Sequence, residues 1–470
     1  MTYDLIKLSE VDSLDQKTVQ QLYMEHVNIG IPKFLGMLGF DRYRPVRAEG
    51  MDIQTACGKT IHDYTGGISV LGLGHNHPRI MEARRRFNEE RRMEVWKAFL
   101  SPYLAALSKN LAALCPGDLN VPFFCNSGAE ANEGALKVCE KYQGPERRAV
   151  VYAHNSFHGK THMAMSVSGC EDSRKHFKLL DGCLPVTYGD HEALEALVHE
   201  RGGKANDICA VILEAIHAEG VIRPPAGYLR EVRRICDENG ILLIIDEVFC
   251  GFGRTGRMFA FEHDGIVPDV VTVSKSLGGG KASIAAYVTR EPIYRKAYGE
   301  MKDAMMHTTT FNGLGEECWT AIEALNVLVD ENLVENAREM GDYFLSRLQE
   351  LAEKYPSLIR GVRGAGLILC IELQKPGKAF MALIGKAVPF IRDFWDGILT
   401  GILMFLLMDR HDILVFAGQH DKGSIMVNPS LIIDRERVDY FIKSLDELLS
   451  HGLMGLGTLF AKRKLATMRG

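Results

Sequence analysis

The eleven cysteines of this 470-residue chain form no pattern, and no Cys-x-x-Cys pair occurs. That argues against a disulfide framework and a cysteine-built zinc site, and it fits reduced thiols in a cytosol better than either. Basic excess is also missing. The net charge is −5, which excludes the electrostatic footprint of a nucleic-acid binder. Long apolar runs are scarce. The longest strongly apolar one, Ile398 to Met408, falls well short of the roughly 20 residues a membrane helix needs. The start, Met1-Thr-Tyr-Asp-Leu-Ile-Lys7, has no basic-then-apolar leader, so the expected location is cytoplasmic. Internal repeats and low-complexity tracts are absent as well.

What is there is an ordinary globular balance, 46% apolar and 24% charged, with 46 glycines that suit many tight turns. The length suggests a large domain with a smaller one. From about residue 80 to 330, apolar runs alternate with helical patterns, as βα units do. Ile241-Leu-Leu-Ile-Ile-Asp-Glu-Val-Phe249 is the clearest case. Five apolar residues read as a strand buried on both faces, the habit of a parallel sheet. Asp246 closes it at the carboxyl end, where open α/β sheets bind ligands. A carboxylate buried there needs a partner.

Other runs deliver functional groups to the same edge. Arg148 to Ala153 leads to Phe157 and His158. Ile208 to Leu213 ends in Glu214, with Glu219 just beyond, and Asp269 to Ser274 ends in Lys275. Val121 to Cys125 runs into Asn126-Ser-Gly-Ala-Glu-Ala131, and an amphipathic helix follows. Ser127 and Gly128 therefore open a helix. Its free N–H groups and dipole attract an anion, although Ser127 is equally suited to act as a plain N-cap. His75 and His77 lie in a Gly-rich loop with no ligand cluster at a useful spacing, so no metal site is expected. Arg79 to Cys115 reads as helical with a break at Pro102.

A lysine at the mouth of a buried site is an available amine nucleophile. Together with an anion pocket, an aromatic plane and a buried carboxylate, it suits pyridoxal 5′-phosphate. The helix start takes the phosphate, the lysine takes the aldehyde, and the carboxylate keeps the ring nitrogen protonated.

At this point the chain resembles the class III pyridoxal-phosphate aminotransferases of fold type I. The carriers are Asp63-Tyr-Thr-Gly-Gly67, Gly74-His-Asn-His-Pro78, Phe124-Cys-Asn-Ser-Gly-Ala-Glu-Ala131, Phe157-His-Gly159, Glu214 with Glu219, Asp246-Glu-Val248, Gly251-Phe-Gly-Arg-Thr-Gly256, Ser274-Lys-Ser-Leu-Gly-Gly-Gly280 and His307-Thr-Thr-Thr-Phe311. The resemblance covers nearly the whole chain, from about Gly50 to Leu448. The resemblance implies that Lys275 carries the cofactor and shuttles a proton. It implies that Asp246 pairs with the ring nitrogen, and that Gly128 and Ala129 give N–H groups to the phosphate from the turn that Ser127 opens. Phe157 and Val248 would take the two ring faces, with His158 and Glu214 beside them. Thr310 would reach the phosphate of the neighbouring subunit, making a homodimer with shared sites. The stretches Leu111-Ala-Ala-Leu-Cys-Pro-Gly117 and Phe123 to Gly128 look most like the putrescine-type enzymes.

The expected architecture is α/β. Residues 1–65 lend a segment to a small domain, 66–330 form the large domain with a mostly parallel sheet flanked by helices, and 331–470 complete the small α/β domain, which is thus built from both termini. An apolar insertion is expected at about 376–419. The expected reaction is transamination between a primary amine or ω-amino donor and an oxo acid such as 2-oxoglutarate or pyruvate, in either direction. A mutase or decarboxylase on the same site, or a non-catalytic binding protein, are the alternatives.

Departures from the family pattern bear on the substrate. Phe249 stands where a Gln is usual. The stretch Ser424-Ile-Met-Val-Asn-Pro429 has no Arg to grip a substrate carboxylate, so Glu219 faces a cationic or neutral amine. The insertion, with Phe390-Ile-Arg-Asp-Phe-Trp395 and Ile398 to Met408, reads as extra core or dimer surface. Its other readings are a cover for a long apolar substrate and, through 390–410, a contact with a membrane or carrier protein.

Overall fold

The computed structural model describes residues 3, 5–169, 171–377, 380–381, 397–418 and 422–467. The chain opens with helices α1 (Gln16–His26) and α2 (Gly30–Leu38) and a meander of β1 (Pro45–Glu49), β2 (Asp52–Thr55) and β3 (Thr60–Asp63). The expected helix over 79–115 is two helices, Pro78–Glu89 and Pro102–Leu114. Each begins with a proline in its first turn, where the missing N–H costs nothing, and Ser101 caps the second.

The central layer is a seven-stranded sheet. Its members are β4 (Leu119–Cys125), β5 (Ala149–Ala153), β6 (Cys183–Val186), β7 (Ile208–Glu214), β8 (Leu242–Asp246), β9 (Val270–Val273) and β10 (Ala285–Arg290), in the order β4-β10-β9-β8-β7-β5-β6. Neighbours are parallel except around β10, which runs antiparallel to both β4 and β9. Every residue of β5, β7, β8 and β9 is buried. This is why these strands read as unbroken apolar runs: helices cover both faces. Helix α3 (Gly128–Gln143) packs on β7, β9 and β10.

Helices α4 (Gly315–Asp330) and α5 (Leu333–Lys354) lead to a second sheet, in which β11 (Ile359–Ala365) and β12 (Ile368–Leu373) pair antiparallel. Helix α6 (Ile398–His411) follows, then β13 (Ile413–Leu414), β14 (Phe416–Ala417) and β15 (Ser424–Val427). β13 pairs parallel with β3, while β14 pairs with β15 in the β11-β12-β15-β14 sheet. The two ends of the sequence are thereby joined, and the described part of the expected insertion lies within that join. Helices α7 (Arg435–Ser450) and α8 (Gly452–Thr467) come last.

The apolar run Ile398–Met408 is α6, and apart from Gly401 its residues are buried. Phe405 meets Phe460 of α8 edge-on at 5.2 Å. Asp409 accepts from Arg42 at 2.8 Å and from Arg463, and Lys464 donates to the Gly36 carbonyl at 2.7 Å. The run is interior, and Ile398, Thr400, Gly401 and Met404 also line a cavity, so both the core reading and the substrate-cover reading of the sequence remain open. Residues 390–396, the rest of the expected membrane or carrier contact, lie outside the described residues. Among the described residues, no helix is long and apolar enough to cross a membrane.

Candidate active site

β7, β8 and β9 end at one edge of the large sheet, and the polar groups gather there. Asp246 closes β8 and is buried. Its Oδ2 accepts from Asn132 Nδ2 at 2.8 Å and lies 2.8 Å from His158 Nδ1. A carboxylate can only accept, so His158 Nδ1 carries the proton toward it. Asp246 Oδ1 accepts from the Val248 N–H at 2.9 Å. Asn132 is held in turn: its Nδ2 also reaches the His158 carbonyl at 2.8 Å, and its Oδ1 accepts from Thr272 Oγ1 at 2.7 Å. The carboxylate is thus fixed by α3, β9 and the loop after β5 together.

Glu214 closes β7 and is also buried. It accepts from the Phe157 N–H at 3.0 Å and the Ala218 N–H at 2.9 Å, so it anchors both loops beside the site. Burial pushes its carboxyl up to about 7. Glu247, beside Asp246 in the chain, is buried and pushed up to about 8 for the same reason. His158 Nε2 is buried with no hydrogen-bond partner among the described residues.

Lys275 lies just beyond β9, at φ 48°. That left-handed backbone is costly for a residue with a Cβ, and such strain persists where the surroundings over-determine it. Burial holds the lysine ammonium below the usual lysine range, while Asp246 and Cys250 pull the other way. Its Nζ sits 4.6 Å from the centre of the Phe249 ring. The aromatic residue that stands where the family pattern has Gln is therefore a face for the lysine cation.

Ser127 caps α3, its Oγ accepting from the Glu130 N–H at 3.3 Å. Glu130 reaches back to the Asn126 N–H at 2.9 Å. The cap uses the Ser127 hydroxyl. The N–H groups of Gly128 and Ala129 follow in the first turn, where a helix has no partner of its own to offer. A Cβ on Gly128 would lie 2.9 Å from Val248 Cγ1, so glycine keeps this turn close to the strand edge.

The sequence residues thus fall into groups. Asp246, His158, Glu214, Phe157 and Val248 are joined by hydrogen bonds or adjacent backbone, and Gly128 faces Val248. Lys275, Phe157, Phe249 and Glu219 share the lining of a cavity of about 570 Å³. Thr310 is exposed on a loop beside the start of α3, where the Phe311 carbonyl accepts from Asn126 Nδ2 at 3.2 Å. Asn132 and Thr272 were not singled out from the sequence. Each left a trace, as a polar side chain inside an otherwise apolar helix face or strand. His75 and His77 pair with Asp63 and Glu331, and no metal-binding cluster occurs among the described residues.

Together these groups offer an amine of lowered basicity, a fixed buried carboxylate, an aromatic wall and a helix start open to an anion. Comparison with known proteins bears on this arrangement. The family model for aminotransferase class-III matches residues 40–449. The ornithine aminotransferase of Toxoplasma gondii ME49 superposes with a TM-score of 0.78 at 26% identity, over 95% of this chain and 98% of that one. A second structure of the Toxoplasma gondii enzyme, with partial occupancy of PLP at its active site, gives 0.76 at 25% identity, over 98% and 100%. A thermostable (S)-enantioselective omega-transaminase from Thermomicrobium roseum gives 0.78 at 26%, over 93% and 98%.

Proposed function

The chain belongs to the class-III aminotransferases, enzymes that use pyridoxal 5′-phosphate, and we propose that it moves an amino group between a primary amine or ω-amino compound and an oxo acid. The observation that carries the donor class is the cavity lining near Lys275. Met426 of β15, Phe249 and Glu219 belong to it, and among the described residues no arginine lines it to hold a substrate carboxylate. The uncharged remainder of such an amine meets that lining without stranding a charge. A 2-oxo acid such as 2-oxoglutarate or pyruvate serves as acceptor.

The residues fit the cofactor. The close approach of Gly128 to Val248 makes a cradle that a Cβ would fill, and His158 Nε2, buried without a partner among the described residues, is available to the same network. Gly128 and Ala129 N–H groups would hold the phosphate, Lys275 the aldehyde carbon, and Phe157 and Val248 the ring faces. Bound there, the cofactor supplies an electron sink for the bond broken at the amine-bearing carbon. Asp246, pinned by His158, Asn132 and the Val248 N–H, keeps a negative charge facing the ring nitrogen. Lys275 Nζ, its basicity reduced by burial, takes the proton from the donor carbon and returns it on the other side of the transfer. Glu214 steadies the Phe157 loop. Phe249 holds the lysine cation where the family's usual Gln would offer a hydrogen bond.

The enzyme works as a homodimer with shared sites. Phe99, Leu100, Met301, Met305, Met306 and Phe311 are exposed large apolar residues, and Lys97 ties their loops together by donating to the Thr309 carbonyl. Thr310 sits among them and serves the partner's phosphate. Coexpressed Lys275→Ala and Thr310→Ala chains then form mixed dimers with one intact site, and activity returns; continued inactivity refutes the sharing. The cytosol is the proposed location, since the ten described cysteines are free thiols.

The function is tested with a panel of amines and α-amino acids against both oxo acids. The expected result is consumption of amines with a change in the cofactor's absorbance. A colourless protein that gains no absorbance with added pyridoxal phosphate, or one that turns over only α-amino acids as donors, overturns the reading.

A further inference from the structure

The cavity that opens from Lys275 is far larger than an amino group needs, and beyond Thr65, Phe157, Glu219 and Lys275 its walls come from parts of the chain outside the family motifs. Phe34, Leu35, Met37, Leu38 and Phe40, from α2 and the residues after it, form one wall. Gly397, Ile398, Thr400, Gly401 and Met404 of α6 and its start form another. Phe460 of α8 and the stretch Leu414–Gly418 close it. Its volume of about 570 Å³ is that of a site for a drug-sized ligand. The charged lining residues are Glu219 and Lys275 near the reacting end and Lys422, which is exposed. Between them the surface is almost wholly apolar.

From this we infer that the amine is a long-chain alkylamine, its tail running from Lys275 between α2 and α6. The inference rests on the transaminase reading and names its substrate class. Water confined against such walls is displaced by methylenes with a gain in free energy. A second ammonium on the same chain would be stranded among Leu38, Met404 and Phe460, so diamines are disfavoured. The likeness to putrescine-type enzymes lies in residues 111–128, and none of these lines the cavity. In the reaction, R–CH2–NH3+ and R′–CO–CO2− become R–CHO and R′–CH(NH3+)–CO2−. The amine carbon loses two electrons, the oxo carbon gains two, and no outside oxidant is required.

Gly401 provides the tool for a test. It lies on the cavity wall, and a Cβ added there meets no atom of the described residues within 4 Å. Its backbone is helical, so a larger residue also removes the flexibility that makes glycine unfavourable in a helix. Gly401→Leu and Gly401→Phe would fill the cavity from the α6 side without disturbing the fold.

The experiment measures kcat/KM of the holoenzyme for n-alkylamines from butylamine to dodecylamine, with the α,ω-diamines of equal length. The expected rise is about fourfold per methylene until the cavity is full, with each diamine below its monoamine. In Gly401→Phe the dodecylamine-to-butylamine ratio falls at least about tenfold. Calorimetric binding of the unreactive n-alkanols follows the same order and weakens for the long members in that variant. Flat rates along the series in the wild-type enzyme, or diamines preferred at every length, overturn the inference while leaving transamination intact. Failure of every amine, butylamine included, instead removes the functional reading on which it stands.

Discussion

The floor of the site and its roof are built on opposite plans. The floor, at the edge of the seven-stranded sheet, is polar, and its carboxylates are held by hydrogen bonds from several elements. Asp246 is fixed by three elements at once, and Glu214 ties two loops. The roof lining is apolar and comes from segments far apart in sequence, α2, α6 and α8, whose few polar ties lie outside the lining. The difference teaches what each part is for. Hydrogen bonds are directional, so they fix reacting groups to the accuracy chemistry requires. Apolar contact is not directional, so it selects by volume and length.

The comparison breaks most visibly at Lys275. Lys275→Ala is expected to lower kcat/KM by at least about 10^4-fold without loss of fold, read in the amine–oxo acid assay. Asp246→Asn follows, with a loss of about 10^3-fold, because the neutral amide no longer faces the ring nitrogen with charge. If either variant keeps near wild-type rates, the floor is not the chemical half.

Next comes Glu214→Gln, which reads stability against pH. The native carboxyl titrates near 7 against an ordinary 4.5, so folding holds a proton that the unfolded chain releases first. Stability from this group is full below about 4.5 and is lost as pH climbs to about 7, by roughly 3 kcal/mol in total. Glu247, near 8, adds a loss of the same sign. Denaturant unfolding at several pH values should show a shallower decline in Glu214→Gln; an unchanged slope would mean that Glu214 is already ionised in the native state.

Gly128→Val crowds Val248 and should weaken cofactor retention about tenfold, measured by absorbance titration. The smallest effect is expected at Phe249. In the cofactor-free protein, Phe249→Leu removes the ring beneath the lysine cation, so Lys275 should lose its proton about half a pH unit lower. The pH profile of lysine acylation would show it. A shift upward would mean that the ring hinders the cation.

These halves also differed in how far they could be read beforehand. β7, β8 and β9 announce themselves as apolar runs ending in Glu214, Asp246 and, just past β9, Lys275, because a strand covered on both faces has no room for other residues. The partner of Asp246 needed the folded sheet: Asn132 and Thr272 are 140 positions apart in the chain and meet only because α3 lies across β9. His158 was visible as a group at the edge, but not as the ligand of Asp246. The roof was least legible. The apolar character of Ile398–Met408 shows that the segment is covered, and leaves open whether core, ligand or another chain does the covering. Phe34 and Phe460 carry no signal that they face one space.

The hydrogen bond from Lys464 to the Gly36 carbonyl fastens α8 to α2 over the cavity. Its consequence concerns inheritance. A lineage can change what fits beneath that clasp by substitutions at positions such as Phe34 or Gly401, distant from Asp246 in sequence. Effects of changes that share no partners add with little interference. New diets can therefore be tried one substitution at a time, with no ancestor obliged to pass through a silent enzyme.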